Sequence, residues 1–155
     1  MQFKDLKEII HFAIEKEKEA AAFYETICDQ EPFSGSKEMF KEFAREEHKH
    51  RSLLEKFEQG DIDEGIGQYK FKWIPDIKRS DYTIDIDYKK GMPYSDILLI
   101  AMKREEKALK LYNDLLKDAQ EENTEKLFKI LCQEEAKHKL ALETLYDDFM
   151  AKMGD

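Results

Sequence analysis

The sequence predicts an all-α fold, a four-helix bundle of two repeated helix pairs joined by a long crossover. Three observations predict it. Apolar residues recur at helical spacing in four long stretches. Gly and Pro are scarce, six and three in 155 residues. The chain also aligns with itself after a shift of 88 positions. With 41% hydrophobic and 39% charged residues, the composition suits amphipathic helices with solvated outer faces rather than a strand-rich or disordered chain. One domain, residues 1–155, is long enough to bury a core without staples.

The first helix is expected over about 5–30, ending before the breaker run Glu31-Pro32-Phe33-Ser34-Gly35. The second is expected over about 36–59. The third, about 93–121, opens on Pro93, a residue favoured in a first turn, and the fourth, about 124–152, follows Asn123-Thr124, both good N-caps. Between the second and third lies a segment of about 60–92 carrying Tyr69, Phe71, Trp73, Ile74, Tyr82 and Tyr88. It is too long for a hairpin and too aromatic for a free linker, so a crossover packed along the bundle is expected.

Under the 88-residue shift, residues 5–57 align with 93–145 without a gap and thirteen positions are identical, among them Glu17/Glu105, Tyr24/Tyr112, Phe40/Phe128, Glu47/Glu135, His50/His138 and Leu54/Leu142. Two copies of one helix pair follow. Related by a two-fold across the bundle, they place the second and third helices parallel, which only a long crossover can join.

Several function classes are excluded. A net charge of −9 disfavours nucleic acid, whose phosphates need a basic surface. The longest apolar run, Ile97–Met102, is far short of a membrane span. The first residues show no apolar signal region, so a cytoplasmic location is expected. Cys28 and Cys132 form no Cys-x-x-Cys; free thiols inside helices are expected, Cys132 as a small buried filler.

The apolar seams carry the chemistry. The first helix reads Leu6, Ile10, Ala13, Glu17, Ala20, Tyr24, Ile27; the second Phe40, Phe43, Glu47, His50, Leu54, Phe57. The third reads Leu98, Ala101, Glu105, Ala108, Tyr112, Leu115; the fourth Phe128, Leu131, Glu135, His138, Leu142, Leu145. Each stripe is interrupted near its middle by Glu, or by Glu and a His three residues on, which leave the same helix face. Buried carboxylates facing one another repel and cost several kcal/mol, and no basic residue shares the seams. Two divalent cations would neutralise Glu17, Glu47, Glu105 and Glu135, with His50 and His138 completing a dimetal carboxylate ligand set. An apo bundle with buried ion pairs is the alternative. His11, which aligns with Leu99, and His48 fall off the stripe and are not expected to bind the metals; His48 is expected to point into solvent. The runs Glu15–Glu19 and Lys103–Lys107 are solvated faces apart from the two Glu ligands.

Through Glu17-(x)6-Tyr24, Glu47-x-x-His50, Glu105-(x)6-Tyr112 and Glu135-x-x-His138, the chain resembles the ferritin-like superfamily, specifically the diiron domain of rubrerythrin, over essentially its whole length. The resemblance implies two iron ions, with manganese or zinc also compatible with the ligand types. It implies that Glu47 and Glu135 bridge, that Glu17 and Glu105 are terminal carboxylates, and that His50 and His138 give one nitrogen each. Tyr24 and Tyr112 would hydrogen-bond the carboxylates. It further implies a homodimer and an oxidoreductase of oxidative stress that reduces hydrogen peroxide or dioxygen. There are two departures. The sequence carries no rubredoxin-type Cys pairs, so electrons are expected from a separate donor such as a rubredoxin. The residue three after Glu105 is Ala108, where typical rubrerythrins carry an additional Glu. A ferroxidase, oxidising Fe(II) for storage or detoxification, and a non-redox bundle holding zinc or manganese are the alternative functions.

Overall fold

A computed structural model of the chain describes residues 5–31, 34–60, 69–71 and 87–153. Four long helices account for most of them: α1 (Leu6–Gln30), α2 (Ser34–Glu58), α3 (Tyr94–Asp118) and α4 (Glu122–Met153). There is no strand among the described residues. No helix among them is long and apolar enough to cross a membrane.

The ends of the helices follow local chemistry. Asp5 caps α1, its Oδ1 accepting from the Glu8 N–H at 2.9 Å, which satisfies one of the first-turn donors. Gly60 follows α2 at φ +80°, and its N–H reaches the Phe57 carbonyl at 3.0 Å, the left-handed ending that glycine allows. Ahead of α3, the Met92 N–H bonds the Lys89 carbonyl at 3.2 Å. Gly91, at φ +85°, fills the turn position that requires a positive φ. Pro93 then caps α3.

Three boundaries differ from expectation. α2 begins at Ser34, two residues early. α3 ends at Asp118, where the Ala119 N–H turns back to the Leu116 carbonyl and Ala119 goes extended. α4 begins at Glu122, so Asn123 and Thr124 lie in its first turn and cap nothing. The Glu125 N–H already bonds the Glu121 carbonyl, and Glu122 and Glu125 bring negative charge to the positive end of the helix dipole.

The chain divides into two compact units, Met1–Gly67 and Gln68–Asp155. In the first, α1 packs on α2; in the second, α3 packs on α4. With only three residues between the partners of each pair, both are antiparallel helical hairpins. The first buries Ile10, Ala13, Ile14, Ile27, Phe40, Phe43 and Leu54, and the second Ile97, Leu98, Ala101, Met102, Leu127, Phe128, Leu131 and Leu142. These are largely the expected stripes. Leu6, at the start of α1, is 37% exposed instead, and Phe57 and Leu145, near the far ends of the seams, are half-buried. Ala20 and Ala108 are half-buried, and Ala21 takes the core place in α1. The outer faces carry i,i+3 and i,i+4 ion pairs such as Lys16–Glu19 and Lys110–Asp114. Most of the crossover, residues 61–68 and 72–86 with Trp73, Ile74 and Tyr82, lies outside the described residues.

Candidate metal centre

In the first unit α1 supplies Glu17 and α2 supplies Glu47 and His50, at the middle of otherwise apolar faces. All three are buried, at 2%, 1% and 5% exposure. His50 Nδ1 stands 3.5 Å from Glu17 Oε2 and 3.8 Å from Glu47 Oε1. One ligand atom from each lies within 4.8 Å of the others. The second unit repeats the arrangement. Glu105 of α3 and Glu135 and His138 of α4 are equally buried, His138 Nδ1 is 3.4 Å from Glu105 Oε1, and their ligand atoms again gather within 4.8 Å.

These separations exceed the roughly 2.7–3.2 Å of an N–H···O hydrogen bond and suit groups gathered around an ion. Within each unit two carboxylates lie no more than 4.8 Å apart out of water. At an effective dielectric constant near 20 their repulsion is about 3.5 kcal/mol. A divalent cation removes it, and its preferred donors, carboxylate oxygen and imidazole nitrogen, are the ones present. The residues therefore fit a metal ion in each unit. The buried Lys139 lies 3.6 Å from Glu143 on its own helix.

Tyr24 and Tyr112, each 1% exposed, follow Glu17 and Glu105 by two helical turns. Tyr24 stacks on Phe40 at 6.0 Å and meets Phe43 edge-on at 5.3 Å; Tyr112 stacks on Phe128 at 6.3 Å. The repeat thus reproduces the aromatic support as well as the ligands.

His48 points off the seam with its side chain 42% exposed, as expected, and bonds Glu25 of α1 at 2.5 Å. His11 is exposed and pairs with Glu58 at 2.8 Å. Cys132 is half-buried rather than buried, and its Sγ lies 3.6 Å from Asn113 Oδ1. Burial, with the charge of Glu135 adding to it, pushes this thiol up to about 12 in the metal-free protein. Sequence reasoning missed the buried Lys139 and Glu143. An i,i+4 Lys–Glu pair reads as a surface feature, and its repeat counterpart, Arg51–Glu55 at 3.3 Å, is one.

A family model described as rubrerythrin matches residues 8–146. Among solved structures, a hypothetical protein from Pyrococcus furiosus is similar at 25% identity and TM-score 0.67, over 93% of this chain and 89% of that one. No curated protein matches.

Proposed function

Since the chain belongs to the rubrerythrin family and has its ferritin-like four-helix bundle, we propose that it is a non-haem diiron oxidoreductase that reduces hydrogen peroxide or dioxygen. The observation that carries this reading is the duplicated cluster of two buried Glu and one buried His. On this proposal the two half-sites act together, as in the family. Glu47 and Glu135 would be the shared carboxylates, Glu17 and Glu105 the terminal ones, and His50 and His138 would give one nitrogen apiece.

When bound, two Fe(II) ions would supply one electron each, the two that cleavage of the O–O bond needs: H2O2, two electrons and two protons give two water molecules. The chain's own residues do the rest. The four carboxylates would neutralise the +4 charge of two divalent ions. The imidazoles are neutral donors that leave this balance intact. Tyr24 and Tyr112 orient the carboxylates, and the surrounding Phe and Leu side chains limit water. Electrons return from a separate donor protein. Ala108, in place of the family's additional Glu, leaves a plain four-Glu, two-His set.

The test is anaerobic loading with Fe(II), then one equivalent of hydrogen peroxide under stopped-flow absorbance, with dioxygen in parallel. Ferric absorbance that grows faster with peroxide supports the proposal. Faster growth with dioxygen shifts the reading to a ferroxidase. Two irons bound without reaction over minutes would refute the redox role and leave the zinc- or manganese-holding bundle.

A further inference from the structure

Phe71 is 50% exposed, the most open of the large apolar side chains among the described residues. The other two exposed ones, Leu6 and Met150, lie in the first turn of α1 and the last turn of α4, where packing runs out. Phe71 stands instead on a supported platform. Its ring meets Tyr69 edge-on at 5.0 Å, and the Tyr69 hydroxyl donates to Glu134 Oε2 at 2.5 Å. Lys137 Nζ reaches the same oxygen at 2.7 Å and lies 5.6 Å from the centre of the Tyr69 ring, within the range of a cation–π contact. A ring held in this way loses little further freedom when a partner covers it, and aromatic anchors of that kind dominate binding energies.

The surroundings set the partner's charge. Lys70 is exposed beside Phe71, and the Lys137 side chain is 42% exposed. Glu134 is only 18% exposed, turned to Tyr69 and Lys137. Cations thus rim the ring, in a chain whose net charge of −9 otherwise disfavours acidic partners. The position sets the partner's task. Glu134 and Lys137 immediately precede Glu135 and His138, so a continuous run of contacts joins the exposed ring to the ligand turn: Phe71 on Tyr69, Tyr69 hydrogen-bonded to Glu134, and Glu134 one peptide bond from Glu135. Electrons cross bonded and hydrogen-bonded contacts more readily than gaps.

We propose that Phe71, rimmed by Lys70 and Lys137, is the docking site of the external electron donor, a small acidic electron-carrier protein. The proposal rests on the redox reading above. Two one-electron carriers dock in turn, each oxidised by one electron, and together they return the two electrons that O–O cleavage consumes. The contact belongs to the small, transient class of interfaces, with an aromatic centre and a charged rim.

Reduced rubredoxin is the probe. The full-length protein is loaded with Fe(II), oxidised with one equivalent of hydrogen peroxide, and mixed with reduced rubredoxin in a stopped-flow, with dithionite in parallel as a reductant that needs no docking. Isothermal titration of the oxidised protein with oxidised rubredoxin reads binding apart from turnover. Phe71→Ala should weaken binding and slow rubredoxin oxidation by about five- to thirtyfold, the range of a hot-spot truncation. Lys70→Glu should slow it by about three- to tenfold at low ionic strength, a gap that closes in about 0.5 M salt as exposed charges are screened. Dithionite should reduce both variants as fast as the parent. Lys110→Glu, at a 76% exposed side chain on the outer face of α3, should have by far the smaller effect. Rubredoxin that does not bind, Phe71→Ala as fast as the parent, or Lys110→Glu slowed as much as Lys70→Glu would overturn the docking site, while ferric absorbance keeps the redox reading. No ferric absorbance on adding peroxide would overturn both.

Discussion

Glu47→Gln separates a metal centre from a buried ion-pair network, because the two assign opposite signs to its effect on the metal-free protein. Glu47 is 1% exposed and has a carboxylate oxygen within 4.8 Å of a Glu17 oxygen. Replacing it with a neutral isostere removes a repulsion of about 3.5 kcal/mol at an effective dielectric constant near 20. The amide still has to be desolvated, at about 1–3 kcal/mol where its hydrogen bonds are not replaced. A net gain of about 0.5–2.5 kcal/mol is expected, or roughly 1–10 °C in Tm for a chain of this size. With metal present the sign reverses, since a lost bridging carboxylate should weaken binding by at least the 10- to 100-fold seen for lesser changes around metal ligands. The assay is thermal and urea unfolding of both proteins with chelator and with excess Zn(II). The refuting result is a metal-free variant destabilised by 3 kcal/mol or more. That is the signature of removing one partner from a buried ion pair, and it would make His50 the native counter-ion of Glu47.

Other expectations concern the frame around the site. In the metal-free protein at pH 8, Cys132 should react with iodoacetamide roughly a thousandfold more slowly than a free cysteine, because its thiol is pushed up to about 12 and only the thiolate attacks. The rate should rise about tenfold per pH unit, as read by peptide mass mapping. Leu54→Ala, at a fully buried position of α2, should cost about 2–5 kcal/mol in urea unfolding. Gly91→Ala should cost only about 1 kcal/mol: the added methyl would meet nothing within 4 Å, so the penalty is that of the positive φ alone.

The site was legible in the sequence for a physical reason. A polar residue on an apolar stripe carries an energetic penalty, and a repeat that places Glu17 with Glu105 and Glu47-x-x-His50 with Glu135-x-x-His138 shows the same penalty twice. The four described helices and their buried faces were legible through the same periodicity. Helix ends were less so, as α4 shows: Asn123 and Thr124 favour capping, yet the bond from Glu125 to Glu121 starts the helix earlier. Contacts without periodicity were invisible. Nothing in the order of residues pairs Tyr69 with Glu134, sixty-five positions on, or turns Cys132 toward Asn113. The burial of Lys139 and Glu143 was hidden too, because their spacing is that of any solvated pair.

Metal stoichiometry tests the central claim most directly. The full-length protein, dialysed anaerobically against excess Fe(II) and then against metal-free buffer, would be analysed for iron per chain beside Glu135→Ala. The account predicts two irons per chain in the parent and at most one in the variant. One iron or none in the parent, or two surviving in Glu135→Ala, would contradict it.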